Sequence, residues 1–577
     1  MLRRALIGAT LVGLAAVFAP PALASTTQAL MPGVTYTRQV QFTSHGPVAL
    51  NILVGPRPGG LYGLQSILAG GTITGRARVT SMEKALSATA TIAGVNGDLF
   101  NFNDGHPTGI VMDDNVIKSP PYRTRSSIGV SSSGTLSVAR VALYGYWQGL
   151  GSRRPLTVNK TPTGDGTAVF TPAWGAKTPA LQGAVETVLE PFPPATTGGV
   201  LAGTVTAQST GGGTPIPADG AVLMAHGSQA PKLQAETPPG TSVHVQLILT
   251  PDWPSAGIGE AFGGGPVVVR NGKPVYAAGE DFIPSQIAPR DPRTGVGQRK
   301  NGQIVMVAVD GRRPGYSVGL TNFELAQAMV RLGVVSGAAL DSGGSTTMAF
   351  DGKLLNRPSD PGGERSVKET IALMYSGVYV PPPPLPTISP NGDGIAERET
   401  LTYKVVRQSD VTATLVDPTG ADAYDFNGAR APGVYKVTWP SRRSFRRQAQ
   451  AALGRWRWVV NATDDLARES SMERSFWVND TLGFVSVAPR SARARRGVVA
   501  HFQLTHPAKV VGSIRTRGGA LVRRLGPFNL KSGTRTIRWN GRYRSGRAAY
   551  PGAYVFDVLA QNAYGPVDVA KPFTVRR

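Results

Sequence analysis

A run of four prolines in the segment "VYVPPPPLPTISP", Val378–Pro390, limits the folds open to this chain more than any other feature. Proline fixes φ and has no backbone N–H, so such a run takes polyproline II geometry and cannot join the middle of a sheet. We therefore predict a stiff linker over 378–390 that separates a large N-terminal unit from a C-terminal third. The 577 residues are also too many for one hydrophobic core, and about three or four domains are expected.

The first 24 residues predict export. Arg3 and Arg4 precede an apolar run that ends at the small-residue pattern Ala22-Leu23-Ala24. This order is typical of a cleaved secretory signal peptide and is too short for a membrane anchor. No later stretch has the apolar length needed to span a bilayer. We expect a secreted protein, extracellular or associated with the cell wall.

Composition excludes several classes of chemistry. The chain has no cysteine, so disulfides, thiolate metal sites and a cysteine nucleophile are excluded. It has six histidines and no HExxH motif, which disfavours a zinc hydrolase. The formal net charge of +24 would suit nucleic acid, a membrane surface or an anionic cell-wall polymer, or it is solvated surface charge. Export argues against nucleic acid as the natural partner.

The C-terminal third reads as two copies of one β-rich pattern, over 391–482 and 483–577. In each copy a strand ends in Trp, and a later strand that begins with Gly carries aromatic residues at every second position. These aromatic residues are Trp439, Trp456 and Trp458 in the first copy and Trp539, Tyr554 and Phe556 in the second. We predict two all-β sandwiches whose aromatic residues pack in the cores.

The openings and turns of these copies carry a resemblance. "SPNGDG" at the start of the first copy and Trp-Asn-Gly followed by "PGAYVF" in the second resemble immunoglobulin-like modules of the flagellar hook-capping type. Asn391, Asp393 and Glu397 near the first opening offer oxygen ligands that could hold Ca²⁺. The same Asn-Gly-Asp-Gly pattern is equally typical of a turn, and the turn is the more economical interpretation.

The N-terminal unit, residues 26–377, shows both helix and strand signals. "TSMEKALSATATIAGV" and "TNFELAQAMVRLGV" each begin with a capping-box pattern, Thr80 with Glu83 and Thr321 with Glu324. Apolar runs such as "QIVMVAVDGR" predict strands around them, and the Gly/Thr/Pro-rich region of about 131–250 predicts a β-rich insertion. The predicted fold class is multidomain: an α+β catalytic domain with a mixed sheet and helices, followed by the two all-β sandwiches.

Three segments of this unit share one pattern, an apolar strand that ends in polar residues flanked by glycine. They are "AGVNGDLFNFNDGHPTGIVMDDN", "PRTGVGQRKNGQIVMVAVDGR" and "ALDSGGSTTMAFDGKLLNRPSD". If the strand ends meet, carboxylates, arginine and glycine-exposed amides would converge into an oxyanion site. The side chains so placed are Asn96, Asp98, Arg293, Thr294, Asp341 and Ser345.

Taken in order, five segments resemble the phosphodiester glycosidase family. They are "VNGDLF…PTGIVMDD", "FGGGPVVVRNGKPV", "PRTGVGQ", "VAVDGR…SVGLTNFELAQAMVRLG" and "ALDSGGSTTMAF…LNRPSD…ERSV". The resemblance implies hydrolysis of the glycosyl–phosphate bond of a sugar-1-phosphodiester of the N-acetylglucosamine type. One position departs from the family pattern, because Ser342 stands where the family has glycine. Serine fits there if φ is negative and disturbs the loop if φ is positive.

Within this resemblance we assign candidate roles. A glycosyl phosphate has a good leaving group, so the protein has mainly to neutralise phosphate charge and stabilise an oxocarbenium-like centre. The catalytic candidates are Asp98, Asp310, Asp341 and Glu364. The substrate-binding candidates are Asn96, Arg293, Thr294, Gly343, Gly344, Ser345 and Arg365. No metal ligand is assigned in this unit.

The residues leave alternatives open. Asp310 could simply begin a turn, and Arg365 could be a surface charge. The whole chain could be a carbohydrate- or wall-binding protein on a degenerate glycosidase domain, or a phosphodiesterase that cleaves the other ester bond.

Overall fold

A computed structural model describes residues 24–440 and 452–577, so the predicted signal peptide lies almost wholly outside the described residues. The described chain divides into two compact units. One extends to Ala85 and resumes over Ile92–Leu373, and the other combines Leu86–Thr91 with Met374–Arg577. Among the described residues no helix is long and apolar enough to cross a membrane.

Strands dominate the first unit. Before residue 141 they are β1 (Ala24–Met31), β2 (Val34–Thr43), β3 (Gly46–Gly55), β4 (Tyr62–Leu68), β5 (Thr91–Asn96), β6 (Val111–Asp113), β7 (Val116–Ser119), β8 (Ser126–Ser131) and β9 (Leu136–Arg140). Over 142–250 they are β10 (Ala142–Gln148), β11 (Arg154–Val158), β12 (Thr167–Phe170), β13 (Ala180–Leu189), β14 (Val200–Gly212), β15 (Ala221–Ala225) and β16 (Ser242–Thr250).

After residue 257 nine more strands follow, and short helices occur throughout the first unit. The strands are β17 (Ile258–Gly263), β18 (Val267–Arg270), β19 (Lys273–Pro274), β20 (Arg293–Arg299), β21 (Ile304–Val309), β22 (Val334–Ala339), β23 (Met348–Phe350), β24 (Lys353–Leu354) and β25 (Glu369–Tyr375). The helices are α1 (Val79–Ala85), α2 (Ala230–Glu236), α3 (Pro284–Ile287) and α4 (Asn322–Arg331), with 3-10 turns at Ala69–Gly71, Gly227–Gln229 and Gly343–Ser345.

The predicted α+β class is therefore wrong, because the described residues are 54% strand and only 7% helix. The error comes from the capping-box signals. The Thr321–Glu324 box forms, with Glu324 N–H bonded to the Thr321 hydroxyl at 3.2 Å, and α4 follows it for ten residues. The Thr80–Glu83 box does not form; α1 lasts seven residues and Glu83 Oε2 accepts the Gly352 N–H at 2.7 Å. The two helices predicted from the capping-box patterns are short, and neither is long enough to cover a mixed sheet.

An eight-stranded sheet in the order β1-β2-β3-β21-β20-β22-β18-β19 forms the main scaffold. α4 packs on it through the buried side chains of Leu325 and Met329. Glycine makes this close approach possible: a Cβ at Gly295 would lie 2.8 Å from Met329 Sδ, and one at Gly297 would lie 2.5 Å from Val334 Cγ1. Sheet and helix thus share one apolar core.

Residues 142–250 close into a seven-stranded barrel, in the order β10-β11-β12-β15-β13-β14-β16, with β10 paired to β16. Its interior is filled by large apolar side chains, including the fully buried Trp147 and Leu189. β16 shows the physical reason, since Val243, Val245, Leu247 and Leu249 are buried and alternate with exposed or half-buried residues along "SVHVQLILT". The barrel lies within the region of about 131–250 for which the sequence predicts a β-rich insertion, but its closure was not predicted.

Two five-stranded sheets complete the first unit, in the orders β7-β6-β17-β8-β9 and β24-β23-β5-β25-β4. β5 is buried along its whole length, and its last residue is Asn96. The N–H of Asp341, just beyond β22, donates to the Gly97 carbonyl at 3.1 Å. The ends of β5 and β22 therefore meet, and this junction positions the site described below.

The second unit contains β26 (Thr387–Ile388), β27 (Glu399–Val405), β28 (Ser409–Val416), β29 (Asp422–Arg430), β30 (Gly433–Trp439), β31 (Gly454–Asp464), β32 (Glu469–Val478), β33 (Leu482–Ala488), β34 (Ser491–Arg493), β35 (Val498–Leu504), β36 (Ala508–Thr516), β37 (Leu521–Leu530), β38 (Gly533–Trp539), β39 (Gly552–Asn562) and β40 (Gly565–Arg576). The sheets are β26-β32-β31-β28-β29, β27-β30, β33-β35-β38 and β34-β40-β39-β36-β37.

The aromatic residues predicted to fill the cores are buried, Trp458 and Trp539 completely. β31 alternates between buried and exposed positions from Gly454 to Ala462, which confirms the period-two pattern. The division into two immunoglobulin-like modules at 391–482 and 483–577 stays a prediction. In the linker segment, Tyr379 pairs with Lys404 and β26 pairs with β32, while Pro381 to Pro384 lie outside the strands.

Candidate active site

A cavity of about 210 Å³ lies where the segments that follow β21 and β22 meet the loop before β20. Its lining includes the carboxyl-bearing Asp341, the guanidinium groups of Arg312 and Arg365, and the ring of Phe282. Gly343 and Gly344 complete the wall next to Asp341. We call this space the arginine-lined cavity.

Asp341 is buried, with 8% of its surface exposed. Its Oδ1 accepts the Ser342 N–H at 2.8 Å, and the Ser345 hydroxyl also donates to the carboxylate. Burial raises the pKa of Asp341 to about 6, and the bonds from Ser345 and Ser342 and the charge of Arg365 oppose the rise. Near neutral pH this carboxyl group is therefore mostly ionised, at the edge of the arginine-lined cavity.

Asp98, two residues beyond β5, is a second buried carboxyl group. Burial and the negative charge of Glu369 raise its pKa to about 7 and Asp341 adds to the rise, while the Leu99 N–H and Arg125 oppose it. The chain makes room for it with glycine: a Cβ at Gly109 or Gly263 would lie 2.5 or 2.0 Å from Asp98 Oδ2. Asp98 and Asp341 thus form a pair of buried acids that influence each other electrostatically.

Glu369, at the start of β25, supports Asp98 from behind. Its Oε1 accepts the Asp98 N–H at 2.9 Å, and its Oε2 accepts the Ser66 hydroxyl. Burial raises the pKa of Glu369. This carboxyl group was not singled out from the sequence, where "VKET" carries no signal beyond a strand start.

Asn96 and Thr294 hold the strand ends together rather than face the cavity. The Asn96 Oδ1 accepts the Thr294 hydroxyl at 2.7 Å and the Thr347 N–H at 3.1 Å, and its Nδ2 donates to the Asp341 carbonyl at 2.9 Å. Asn96 and Thr294 are completely buried. They position Asp341 through its backbone.

The turn after Asp341 answers the question raised by Ser342. Ser342 has φ −124° and ψ −172°, an extended conformation that serine adopts without strain. The left-handed residue is Gly343, with φ +64°. The Gly343 N–H donates to the Pro292 carbonyl at 3.0 Å, and the Ser345 N–H to the Ser342 carbonyl at 3.3 Å, so these amides stabilise the loop itself.

The two glycines also let arginine side chains approach. A Cβ at Gly344 would lie 2.0 Å from Arg365 Nη2, and one at Gly343 would lie 2.8 Å from Arg312 Nη2. Glycine is required here for close packing of cations against the turn.

Arg365 and Arg312 are each held in a forked ion pair. Arg365 donates to Asp360 at 2.8 and 3.1 Å, and its Nη1 lies 3.4 Å from the Ser345 hydroxyl. Arg312 donates to Asp291 at 2.8 and 2.9 Å, while its side chain is 46% exposed. Arg312 also has φ +57°, a conformation that non-glycine residues rarely adopt and that often marks functional sites. It was missed from the sequence, although it stands two residues after the chosen Asp310.

Arg293, predicted as a phosphate ligand, lines the arginine-lined cavity, but most of its donors are already bonded to backbone carbonyls. Its guanidinium group donates to the carbonyls of Leu320 (2.9 Å), Gln286 (2.6 Å) and Pro289 (2.6 Å), and it is 2% exposed. Burial lowers its pKa to about 10. Its donors are used to hold the loop before β20, which makes it a positioning residue.

Asp310 and Glu364 do not line the arginine-lined cavity. Asp310 accepts bonds from the Tyr316 hydroxyl (2.7 Å), Asn356 Nδ2 (3.1 Å) and the Arg357 N–H (3.0 Å). Glu364 accepts the Thr80 N–H at 2.9 Å and the Thr80 hydroxyl at 2.6 Å, and so stabilises the start of α1. Of the four predicted carboxylates, the structure brings together Asp98 and Asp341.

The oxygen atoms considered for Ca²⁺ take part in a hydrogen-bonded turn. Asn391 Oδ1 accepts the Asp393 N–H at 3.0 Å, Asp393 Oδ2 accepts the Phe484 N–H at 2.9 Å, and Glu397 Oε1 accepts the Gly394 N–H at 3.0 Å. Within the part of the chain that the structure describes, no group of three or more histidine, cysteine or acidic side chains could hold a metal ion.

Two curated proteins are similar to parts of this chain. The SPbeta prophage-derived uncharacterized protein YomE of Bacillus subtilis (strain 168) is 33% identical over 121 residues, 21% of this chain and 18% of that protein. N-acetylglucosamine-1-phosphodiester alpha-N-acetylglucosaminidase of Bos taurus is 38% identical over 68 residues, 12% of each chain. The chain thus spans less than a fifth of the length of the curated relatives it matches.

Among solved structures, a hypothetical protein from Synechocystis is similar with a TM-score of 0.52 and 26% identity, over 62% of this chain and 64% of that one. Residues 195–374 match the phosphodiester glycosidase family. The match contains Arg312, Asp341 and Arg365, and Asp98 precedes it. Residues 195–374 therefore form part of a phosphodiester glycosidase domain, as the motifs predicted.

Proposed function

We propose that the protein hydrolyses the glycosyl–phosphate bond of a sugar-1-phosphodiester. The observation that carries the proposal is the pair of buried carboxyl groups, Asp98 and Asp341, with raised pKa values near a cavity that three arginines line. Strongly perturbed acids next to a charged cavity are typical of catalytic sites. The family match and the name of the bovine relative support the same reaction class.

The arginine-lined cavity suits the phosphate. Arg312 and Arg365 present guanidinium groups that favour tetrahedral anions, and their aspartate partners keep them in fixed orientations. A phosphate held there leaves as a stable anion, so its oxygen needs little help from a proton donor. The work left to the two acids is at the sugar carbon.

Asp341 acts as the anionic group that stabilises or attacks the oxocarbenium-like carbon, because it is ionised above about pH 6. Asp98 acts as the base for water, because its pKa of about 7 allows it to take a proton near neutral pH. The bond from sugar carbon to phosphate oxygen breaks, its electron pair stays with the phosphate, and water supplies the new hydroxyl group. The proton from water passes to Asp98 and then to solvent.

The test is hydrolysis of uridine diphosphate N-acetylglucosamine in water enriched in ¹⁸O. Cleavage at the sugar carbon yields labelled free sugar and unlabelled uridine diphosphate. Release of sugar 1-phosphate and uridine monophosphate would assign the protein to the phosphodiesterases. No turnover of this or of nitrophenyl-phosphate-linked sugars would favour the non-catalytic carbohydrate-binding alternative.

One argument for that alternative is weakened by the loop geometry. Ser342 and the two trailing sandwich modules support that alternative, and the extended backbone at Ser342 accepts serine without strain. We propose a sugar of the N-acetylglucosamine type as the substrate. We also propose that the protein is located outside the cell or at the cell wall.

We further propose that the basic C-terminal region holds the protein at an anionic cell-wall polymer. The segments "SARARRGVVA" and "RTRGGALVRR" concentrate arginine there. Binding of the full chain to purified wall should weaken as salt rises. Equal binding by a chain that stops at Val380 would contradict the proposal.

A further inference from the structure

A second cavity, of about 300 Å³, shares no lining residue with the arginine-lined cavity, and Asp98 itself lines neither of the two. The loop after β5 supplies Asn101, Asp104 and Thr108 to its wall. Connections of the seven-stranded barrel supply Lys160, after β11, and Trp174, after β12. We call this space the barrel-side cavity. Its volume is at the lower end of the range of small-molecule sites, about 300–1,000 Å³.

Thr108 connects the two cavities at Asp98. Its hydroxyl lies 3.5 Å from Asp98 Oδ2 and donates to the Leu99 carbonyl at 2.9 Å. Thr108 lines the barrel-side cavity, whereas Leu99 lines the arginine-lined cavity. Asp98 therefore stands at the partition between them.

An aromatic stack forms a second part of this partition. The Arg125 guanidinium lies 4.9 Å from the centre of the Tyr122 ring and 4.4 Å from that of Phe282. Tyr122 lines the barrel-side cavity and Phe282 lines the arginine-lined one. Arg125 also acts on the charge of Asp98. Tyr122 and Phe282, which line different cavities, thus both contact Arg125, whose charge lowers the pKa of Asp98.

The walls differ in chemistry. Three arginines line the arginine-lined cavity, Arg293, Arg312 and Arg365, and guanidinium groups suit an anion. The barrel-side cavity mixes an amide, a carboxylate, an ammonium group and a hydroxyl with the indole of Trp174. Both donors and acceptors around an aromatic ring suit a neutral ring rich in hydroxyl groups.

We propose that the barrel-side cavity binds the sugar ring of the substrate, so that the scissile bond crosses at Asp98 from this cavity to the phosphate in the arginine-lined one. This assignment rests on the proposed function. It makes the barrel, through Lys160, a contributor to sugar specificity, together with Asn101 of the loop after β5. Both side chains are exposed, so their removal should leave the fold intact.

The test measures sugar and phosphate binding separately. Asn101→Ala and Lys160→Ala should each raise KM for uridine diphosphate N-acetylglucosamine by about threefold to thirtyfold, the range of one lost hydrogen bond. They should weaken binding of free monosaccharides, measured by saturation-transfer NMR with N-acetylglucosamine, glucose, galactose and mannose, by a similar factor. The inhibition constant of inorganic phosphate should stay within twofold. Arg312→Ala should give the opposite pattern.

Lys177→Ala is the matched control, since Lys177 is exposed on another barrel connection and lines neither cavity. Unchanged KM and sugar binding in both variants, in a wild type that releases sugar, would overturn this inference and leave the proposed function standing. A loss of phosphate binding instead would also overturn it. Sugar binding that depends on Asn101 in a protein without turnover would support the sugar site while the proposed function fails.

Discussion

Two strands of the main sheet that lie on either side of β20 end in the same way and yet lead to different environments. β21 ends in "VAVDGR" and β22 in "GAALDSGG", so an apolar strand in each case runs into an aspartate and a glycine-containing turn. Both strands pair with β20. By sequence pattern alone Asp310 and Asp341 are equally good catalytic candidates.

Hydrogen-bond saturation separates the two. Asp310 accepts three bonds, from a tyrosine hydroxyl, an asparagine amide and a backbone N–H, and is 1% exposed. Asp341 accepts bonds from Ser342 and Ser345, and it also lines a cavity. A carboxylate has about four lone-pair sites, so Asp310 has little capacity left for a ligand. We infer from this comparison that an acidic residue at a strand end can act on a ligand where its carboxylate faces a cavity and has unused hydrogen-bonding capacity.

The largest effect is expected when Asp341 is replaced by asparagine, and the same replacement at Asp310 completes the comparison. Asp341→Asn should lower kcat by about a thousandfold or more, since it removes the charge that faces the sugar carbon. Asp310→Asn should change kcat by less than threefold and lower the free energy of unfolding by about 1–3 kcal/mol, because the new amide N–H₂ faces donors. Steady-state kinetics and urea unfolding measure both. A thousandfold loss in Asp310→Asn with unchanged stability would reverse the assignment.

The pH dependence of kcat/KM provides a second test of the difference between Asp341 and Asp310. Burial raises the pKa of Asp341 to about 6 and, with Glu369, that of Asp98 to about 7, and the mechanism needs both ionised. kcat/KM should therefore fall by about fiftyfold from pH 7 to pH 5.5 and level off above pH 8. The profile of Asp310→Asn should be the same. A bell-shaped profile that falls above pH 7 would make Asp98 a proton donor instead.

The arginines around the turn give the next effect. Arg312→Ala should raise KM by about tenfold with a smaller change in kcat, because a charged hydrogen bond to the phosphate is lost. Arg331→Ala, an exposed arginine at the end of α4, is the control. Equal kinetics in the two variants would remove Arg312 from the phosphate site.

The smallest effect is expected at Ser342. Its backbone is extended, so Ser342→Gly should change kcat by less than threefold. Gly343→Ala, at φ +64°, should reduce activity far more, because alanine is strained there and its Cβ would lie 2.8 Å from Arg312 Nη2. A large gain of activity in Ser342→Gly would show that the serine impairs the loop.

The sequence patterns predicted which strand ends come together, and they did not predict the fold class. The strand ends near Asp98 and Asp341 meet, as expected from the sequence pattern that they share, an apolar strand followed by glycine-flanked polar residues. Arg365 also lies at the cavity. The fold class failed, because a capping box marks where a helix starts and carries little information on whether a sheet or a barrel surrounds it.

Side chains that could serve either as ligand or as scaffold were the hardest to assign. Arg293 has the chemistry of a phosphate ligand, but neighbouring carbonyls take its donors. Arg312, which was not singled out from the sequence, lines the cavity. The sequence identifies which side chains can donate hydrogen bonds. It does not identify the acceptors, because these belong to segments that are distant in the chain.

The sequence by itself determined the family of residues 195–374, the all-apolar strands, the absence of thiol chemistry and the turns whose glycines allow close approach. Only the tertiary structure decided that the N-terminal unit contains a closed barrel, that Asp98 rather than Asp310 accompanies Asp341, and which arginines face the cavity. The physical reason is that acidity and free hydrogen-bonding capacity depend on burial and on partners brought together by folding, and neither quantity is a property of a residue alone.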